Sequence, residues 1–111
     1  MSDAAADSAA APDPGTPYRI EVSLWIVDGM VETFQTYEAS AAEVMAELGA
    51  RVAEVRTPLR TSDEDPHEIH VVHYPDRAAY DAYRVHPRLR ELAELRASCI
   101  ARTEGTVVDL D

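Results

Sequence analysis

The segment His67–Arg102, HEIHVVHYPDRAAYDAYRVHPRLRELAELRASCIAR, sets an apolar strand directly before a long helical stretch. The β-branched residues Ile69, Val71 and Val72 lie between two breakers, Pro66 and Pro75, in a run too short for a helix. Asp76 follows as an N-cap, because a short acceptor side chain satisfies the orphan amides of a first helical turn. Ala79, Tyr80 and Tyr83 then share one helix face. Proline disfavours helical geometry at the residue before it, so Pro87 predicts a break at His86. A second helical run is expected to place Leu89, Leu92, Leu95 and Cys99 inward.

Upstream, Tyr18 to Val27 alternates, with Ile20, Val22, Leu24 and Ile26 on one face and Glu21, Ser23, Trp25 and Val27 on the other. Asp28-Gly29 turns the chain into a helix from about Val31 to Leu48, where Phe34, Tyr37, Ala41, Val44, Met45 and Leu48 follow helical spacing and Gly49 supplies the stop. Ala50 to Thr57 reads as a second strand, its Arg51, Glu54 and Arg56 suiting a sheet edge. Pro58 to Pro66 reads as a mobile polar connection that could serve as a lid. Gly105 precedes TVVDL, a short last strand. Strand, helix, strand, strand, helix, strand is the α+β, ferredoxin-like βαββαβ order.

The chain has 111 residues, of which 46% are hydrophobic, enough for one domain, expected over residues 18–111. Residues 1–17, rich in Ala, Pro and Asp, read as a disordered acidic tail. A formal net charge of −11 argues against nucleic acid and against an anionic membrane surface, where basic residues must displace counterions. All ten basic residues are arginine, which excludes lysine Schiff-base and phosphate-loop lysine chemistry. The single cysteine, Cys99, gives no sign of an oxidising compartment, and with no secretion signal or spanning run the expected location is the cytoplasm. Arginine in place of lysine, high alanine and no asparagine suit a high-GC bacterial genome.

Helices in this order cover one sheet face only. The other shows Trp25, Val27, Ile69 and Val71, an apolar patch that seldom stays exposed. A homodimer packed through those faces is the expected solution, with Glu21, Ser23, Glu54, Arg56 and His73 at its rim or in a partly polar interior.

The segment AAYDAYRVHPRLREL, Ala78 to Leu92, resembles the AxxAYxxHPxH signature of the stress-responsive A/B-barrel family, which includes the plant polyketide cyclase that makes olivetolic acid. FQTYEASAAEVMAELGARV is similar to a family of small uncharacterised bacterial barrels, and the antibiotic-biosynthesis monooxygenases share the layout. Together the resemblances cover Tyr18 to Leu110 and imply a dimeric α+β barrel. This fold hosts cyclases, cofactor-independent oxygenases, haem-processing enzymes and isomerases. The cyclase resemblance carries Tyr83 onto the tyrosine that closes the substrate pocket and His86-Pro87 onto the motif's His-Pro. The motif's last histidine, the catalytic base in that cyclase, falls on Leu89, which cannot take a proton.

Any base must then come from elsewhere, and His70 is the nearest candidate. If it shares the helix-side face with Val72 and Tyr74, it could take a proton near neutral pH while Tyr83 or Tyr37 donates to a developing oxyanion. The alternative is a core histidine satisfied by a neighbouring hydroxyl or carbonyl. His73 and His86 are further catalytic candidates. Phe34, Tyr37, Tyr74 and Tyr80, with Trp25 and Leu89, suit a pocket for a flat hydrophobic ligand, or simply a core. His67, His70 and His73 do not make a metal site within one chain, since His67 and His73 would stand about 20 Å apart at ~3.3 Å per residue with His70 on the other face. A metal shared between subunits stays open. No cofactor is called for. Two functions remain: a cofactor-independent cyclase, isomerase or monooxygenase of polyketide or aromatic metabolism, such as antibiotic biosynthesis, or a non-catalytic dimer binding a hydrophobic ligand or a protein partner.

Overall fold

In the computed structural model, which describes residues 17–108, the chain runs β1 (Tyr18–Ile26), α1 (Val31–Glu47), β2 (Arg51–Arg56), β3 (Glu68–Tyr74), α2 (Arg77–Arg84), α3 (Pro87–Glu91), α4 (Ala93–Cys99) and β4 (Ile100–Val107). The strands form one antiparallel sheet in the order β2-β3-β1-β4. The tail reading, save for Pro17, and the end of the expected last strand at Asp109 and Leu110 lie outside the described residues.

The local signals act where the sequence puts them. The Asp76 carboxylate accepts from the Ala79 amide at 2.9 Å and starts α2. Gly49, at φ 76°, ends α1 as the left-handed residue of a Schellman motif: its own amide bonds to Ala46 O and the Ala50 amide to Met45 O. α2 stops before His86, and His86 itself caps α3, its Nδ1 accepting from the Arg88 amide at 3.1 Å with Pro87 in the first helical position.

The core lies between the sheet and the helices. Leu24, Ile26, Phe34, Tyr37, Ala41, Cys99 and Ile100 form one cluster, and Ile20, Met45, Ala50, Val72 and Tyr74 the other. Each fully buried large apolar side chain contributes about 1.5–3 kcal/mol, and the α1 stripe of Phe34, Tyr37, Ala41 and Met45 supplies side chains to both clusters.

Four expectations are corrected. The last strand begins at Ile100, because Ile100 leaves α4 straight into pairing with Ile26, and Arg102 pairs with Trp25; helical spacing through Cys99 hides the change of period. The second helical run is two helices, α3 and α4, joined at Leu92.

The connection between β2 and β3 is no lid. The Asp65 carboxylate accepts from the Thr61 amide (2.9 Å), the Thr61 hydroxyl (3.0 Å) and the Ser62 amide (3.2 Å), folding the segment onto itself. The segment lies over the sheet face opposite the helices, where the Trp25 indole N–H donates to the Glu64 carbonyl at 3.2 Å. Arg102 lies over the indole ring, 4.3 Å from its centroid. Trp25 is therefore 7% exposed within a single chain. On the same face Arg56 reaches from β2 across β3 to Glu21 on β1 at 2.6 Å, over the stripe that holds Val71, itself 8% exposed. The expected apolar patch is thus largely covered by the chain's own charged side chains.

The hydrogen bonds from Thr61 hold the Asp65 carboxyl below its ordinary range. A depressed carboxylate contributes its stability above the unfolded pKa and loses it as pH falls through the folded one. Acidification, or Asp65→Asn at neutral pH, should therefore release the Glu64 segment and red-shift the fluorescence of Trp25, the chain's one tryptophan. Unchanged emission in Asp65→Asn would show that this turn does not hold the indole.

Candidate functional site

A cavity of about 580 Å³ opens between the sheet and α2–α4. β1 lends it Ile20, Val22 and Leu24, β3 lends His70, Val72 and Tyr74, and β4 lends Thr103 and Gly105. These are the helix-facing positions of three adjacent strands, so their alternation alone brings them together. The helices close the other side with Tyr37, Glu38, Tyr83, Leu89 and Arg96, among others.

His70 is the polar centre of this wall. It is 7% exposed, and it sits between two carboxylates: Nε2 is 2.7 Å from Glu68 Oε1, and Nδ1 is 3.3 Å from Glu38 Oε1. Glu68 precedes His70 by two residues on β3 and so shares its face, while Glu38 descends from α1. Burial pushes the Glu38 carboxyl up; His70 pulls it down, Glu68 raises it and Arg96 lowers it. A protonated Glu38 can donate to Nδ1 of a neutral His70 whose Nε2–H donates to Glu68. Moving that one proton gives a carboxylate and an imidazolium in the same places. The 3.3 Å contact between Glu38 and His70 is compatible with either placement of the proton.

The phenols complete the lining as donors. Burial, the largest cause, raises Tyr83, with Tyr37, Tyr74 and Glu38 adding to the rise. Burial likewise raises Tyr74 and Tyr37, the latter against a downward pull from Arg96. All three stay protonated across the physiological range and can give hydrogen bonds to an oxyanion without becoming bases themselves. Tyr80 stands edge-on to Tyr74 at 5.2 Å.

Of the residues expected from sequence, His70, Tyr83, Tyr37, Tyr74, Tyr80 and Leu89 converge on the cavity. Phe34 lies behind it, 2% exposed, with its ring 6.4 Å from that of His70. The rest lie elsewhere. Trp25 and His73 are on the far sheet face, His73 with Arg19 and Arg51, which, after burial, hold its imidazole below the ordinary value. His86 has its ring nitrogens on the Arg88 amide and on Glu47, 3.3 Å away, at the start of α3. His67 accepts from the Ile26 amide at 3.0 Å and so closes the end of β1. Among the described residues no three His, Cys, Asp or Glu side chains converge in metal-holding geometry. Cys99 is wholly buried, its thiol donating to the Leu95 carbonyl at 3.3 Å, and burial pushes it up.

Sequence reasoning missed Glu38 and Glu68. Both carried a signal: Glu38 falls within the buried stripe Phe34, Tyr37, Ala41, Met45, and Glu68 shares strand parity with His70.

No protein-family profile matches the chain, and no curated protein does. Solved structures do. A protein of unknown function from Rhodopseudomonas palustris matches over 100% of this chain and 95% of its own, at 17% identity and a TM-score of 0.74. A candidate antibiotic biosynthesis monooxygenase from Bacteroides thetaiotaomicron matches over 84% of this chain and 88% of its own, at 19% identity and a TM-score of 0.64. A dimeric ferredoxin-like protein of unknown function from Thermobifida fusca matches over 86% and 92%, at 14% identity and a TM-score of 0.62. The fold is ferredoxin-like. At such identities the likeness extends to the ferredoxin-like backbone, and the cavity's chemistry rests on this chain's own residues.

A carboxyl raised by burial favours the folded state while protonated and loses that contribution as pH rises through its folded pKa. Glu38→Gln keeps the shape and removes the ionisation. Its melting temperature should exceed that of the native chain by a few degrees, with about 1 kcal/mol corresponding to ~4–8 °C in a domain of this size, and the gap should widen with rising pH over the interval in which the Glu38 carboxyl ionises. A gap that closes over that interval would place the stabilising form of Glu38 as the carboxylate.

Proposed function

We propose that this chain is a cofactor-independent enzyme of specialised metabolism that moves a proton on an aromatic or polyketide-like substrate, leading to cyclisation, isomerisation or oxygenation. The observation that carries the reading is the buried Glu38–His70–Glu68 constellation in the wall of a largely apolar cavity with phenol donors beside it. In the ionised arrangement the Glu38 carboxylate accepts a proton from an acidic C–H or phenol. His70, held by Glu68, keeps the carboxylate oriented and balances its charge. Tyr83 and Tyr37 stabilise the resulting oxyanion by hydrogen bonding. The base of the resembling cyclase is replaced by Leu89, which lines the cavity as an apolar wall, so the proton acceptor stands on the sheet and α1 instead.

The working form is a homodimer joined through the open sheet faces. The dimeric state of the Thermobifida fusca protein supports this, as does the incomplete cover over Ile69 on the open face. Sedimentation should show a dimer, shifted to monomer by Ile69→Asp, which places a charge in the middle of that face. A native monomer would refute the assembly.

The chemistry is tested by screening aromatic and polyketide-like compounds for thermal stabilisation, then following deuterium uptake from heavy water at their acidic C–H positions by NMR. His70→Gln should slow exchange by about 10²- to 10⁴-fold while retaining ligand binding. Stabilising ligands that exchange no faster with the native chain than with His70→Gln would leave the other reading, a dimer that binds a hydrophobic ligand without transforming it.

A further inference from the structure

Charge is distributed unevenly around the cavity. The chain has 21 acidic residues and 10 basic ones, all arginine. Arg56, Arg77, Arg88 and Arg102 pair with Glu21 and Glu54, with Asp81, with Glu43, and with Glu64 and Glu104, while Arg19, Arg51 and Arg60, which do not line the cavity, form no ion pair among the described residues. Arg84, Arg90 and Arg96 line the cavity, and among the described residues none of them forms an ion pair. They come from three successive helices, α2, α3 and α4. The one carboxylate in the lining, Glu38, is engaged with His70.

Two of the three guanidiniums are held in place. Arg96 is half-buried and donates to the Thr103 hydroxyl at 2.8 Å. Arg84 stands over the Tyr80 ring, 5.5 Å from its centroid. A guanidinium carries five N–H donors in a fixed fork, so these contacts leave donors free at the cavity. Between them the walls are aliphatic and aromatic: Val22, Leu24, Met45, Val72, Tyr74 and Tyr83.

We propose that this cavity takes an amphipathic organic anion, its apolar body lying on the sheet and its carboxylate or phosphate head held by Arg84, Arg90 and Arg96. The inference rests on the reading that the cavity is the substrate site and specifies the substrate's charge. In a protein of net charge −11, an anion gains from the bulk field nothing but repulsion. Three guanidiniums without an ion pair among the described residues reverse that locally. Arg96 stands near enough to Glu38 and Tyr37 to pull both downward, so a head group held there lies beside the Glu38–His70 wall.

The test compares para-pentylbenzoate, para-pentylphenyl phosphate and para-pentylbenzamide as probes, with dissociation constants measured by NMR titration of the intact chain at low and high salt. At least one anion should bind about tenfold or more tightly than the amide, as charge-assisted bonds to arginine allow, and high salt should narrow the gap. The tighter of the two anions identifies the head group. The double variant Arg84→Gln/Arg90→Gln alters exposed side chains, so its fold, checked by circular dichroism, should persist while the preference falls to near parity. Arg96→Gln provides the independent second reading should the double variant lose its fold. Equal binding of amide and anions, no binding of any probe, or a preference that survives loss of the arginines overturns the proposal. His70→Gln separates the two claims: it should slow deuterium exchange by the same factor of about 10²- to 10⁴-fold and keep the anion preference. Retained preference with undiminished exchange would sink the proton-transfer reading and leave the anion site standing.

Discussion

A four-stranded sheet with helices on one side has two faces that cannot be treated alike. On the helix side, β1 and β3 bury Ile20, Leu24, Val72 and Tyr74 under α1 and α2–α4. Hydrophobic burial there offsets the conformational entropy of ordering the chain. On the other side there is no second layer, and the chain uses arginine stems in its place. Arg56 lies across the sheet to Glu21, and Arg102 lies on Trp25. Exposed ion pairs of this sort contribute little through charge, so their main effect is the apolar surface that the aliphatic stems cover.

The same asymmetry accounts for the cavity. α2, α3 and α4 are short, eight, five and seven residues, and are joined at angles that Asp76, His86-Pro87 and Leu92 set. Short helices in an arc fill the sheet face less closely than one long helix does, and the seventeen-residue α1 closes only one side of the space with Tyr37, Glu38 and Met45. The unfilled volume lies under the arc. Into its wall the chain places a glutamate, a histidine and a second glutamate. Burying these costs stability unless each polar atom finds a partner, and the 2.7 Å and 3.3 Å contacts supply the partners. A constellation that is costly for folding and satisfied only internally is characteristic of sites kept for chemistry.

The fold was largely legible. Strand alternation at Tyr18–Ile26, the apolar stripe of α1, the Asp76 cap, the Gly49 stop and the proline at position 87 each have a local cause, and local causes can be read one residue at a time. The start of β4 was not. Cys99 completes a helical spacing and Ile100 begins a strand one residue later, so two periods meet with no glycine or proline between them. At the site, aromatic residues and His70 were legible because their types are distinctive. Glu38 and the three arginines were not, since glutamate and arginine on a helix of an acidic protein usually face water. Only the tertiary arrangement shows that these face a cavity. His86 misled in the opposite direction: a histidine beside a proline suggests chemistry, and here it caps a helix.

Both edge strands carry a one-residue irregularity. In β2 the pairing skips Ala53, so Val52 stands against Val72 and Val55 against His70; in β4 it skips Ala101, so Ile100 stands against Ile26 and Arg102 against Trp25. Each extra alanine shifts the parity of its strand. Parity decides which side chains a strand shows to which half of the molecule, much as frame decides the meaning of a codon. Were the bulge smoothed out with Ala101 kept, the register beyond it would slip by one residue, turning Arg102 and Glu104 toward the cavity and Thr103 and Gly105 away. Removing the alanine itself would leave Ile100 against Ile26 and Arg102 against Trp25 in plain alternation, so the neutral floor would survive and only the local twist would be lost. The floor of the cavity is thus set by the one place where the strand absorbs its odd residue.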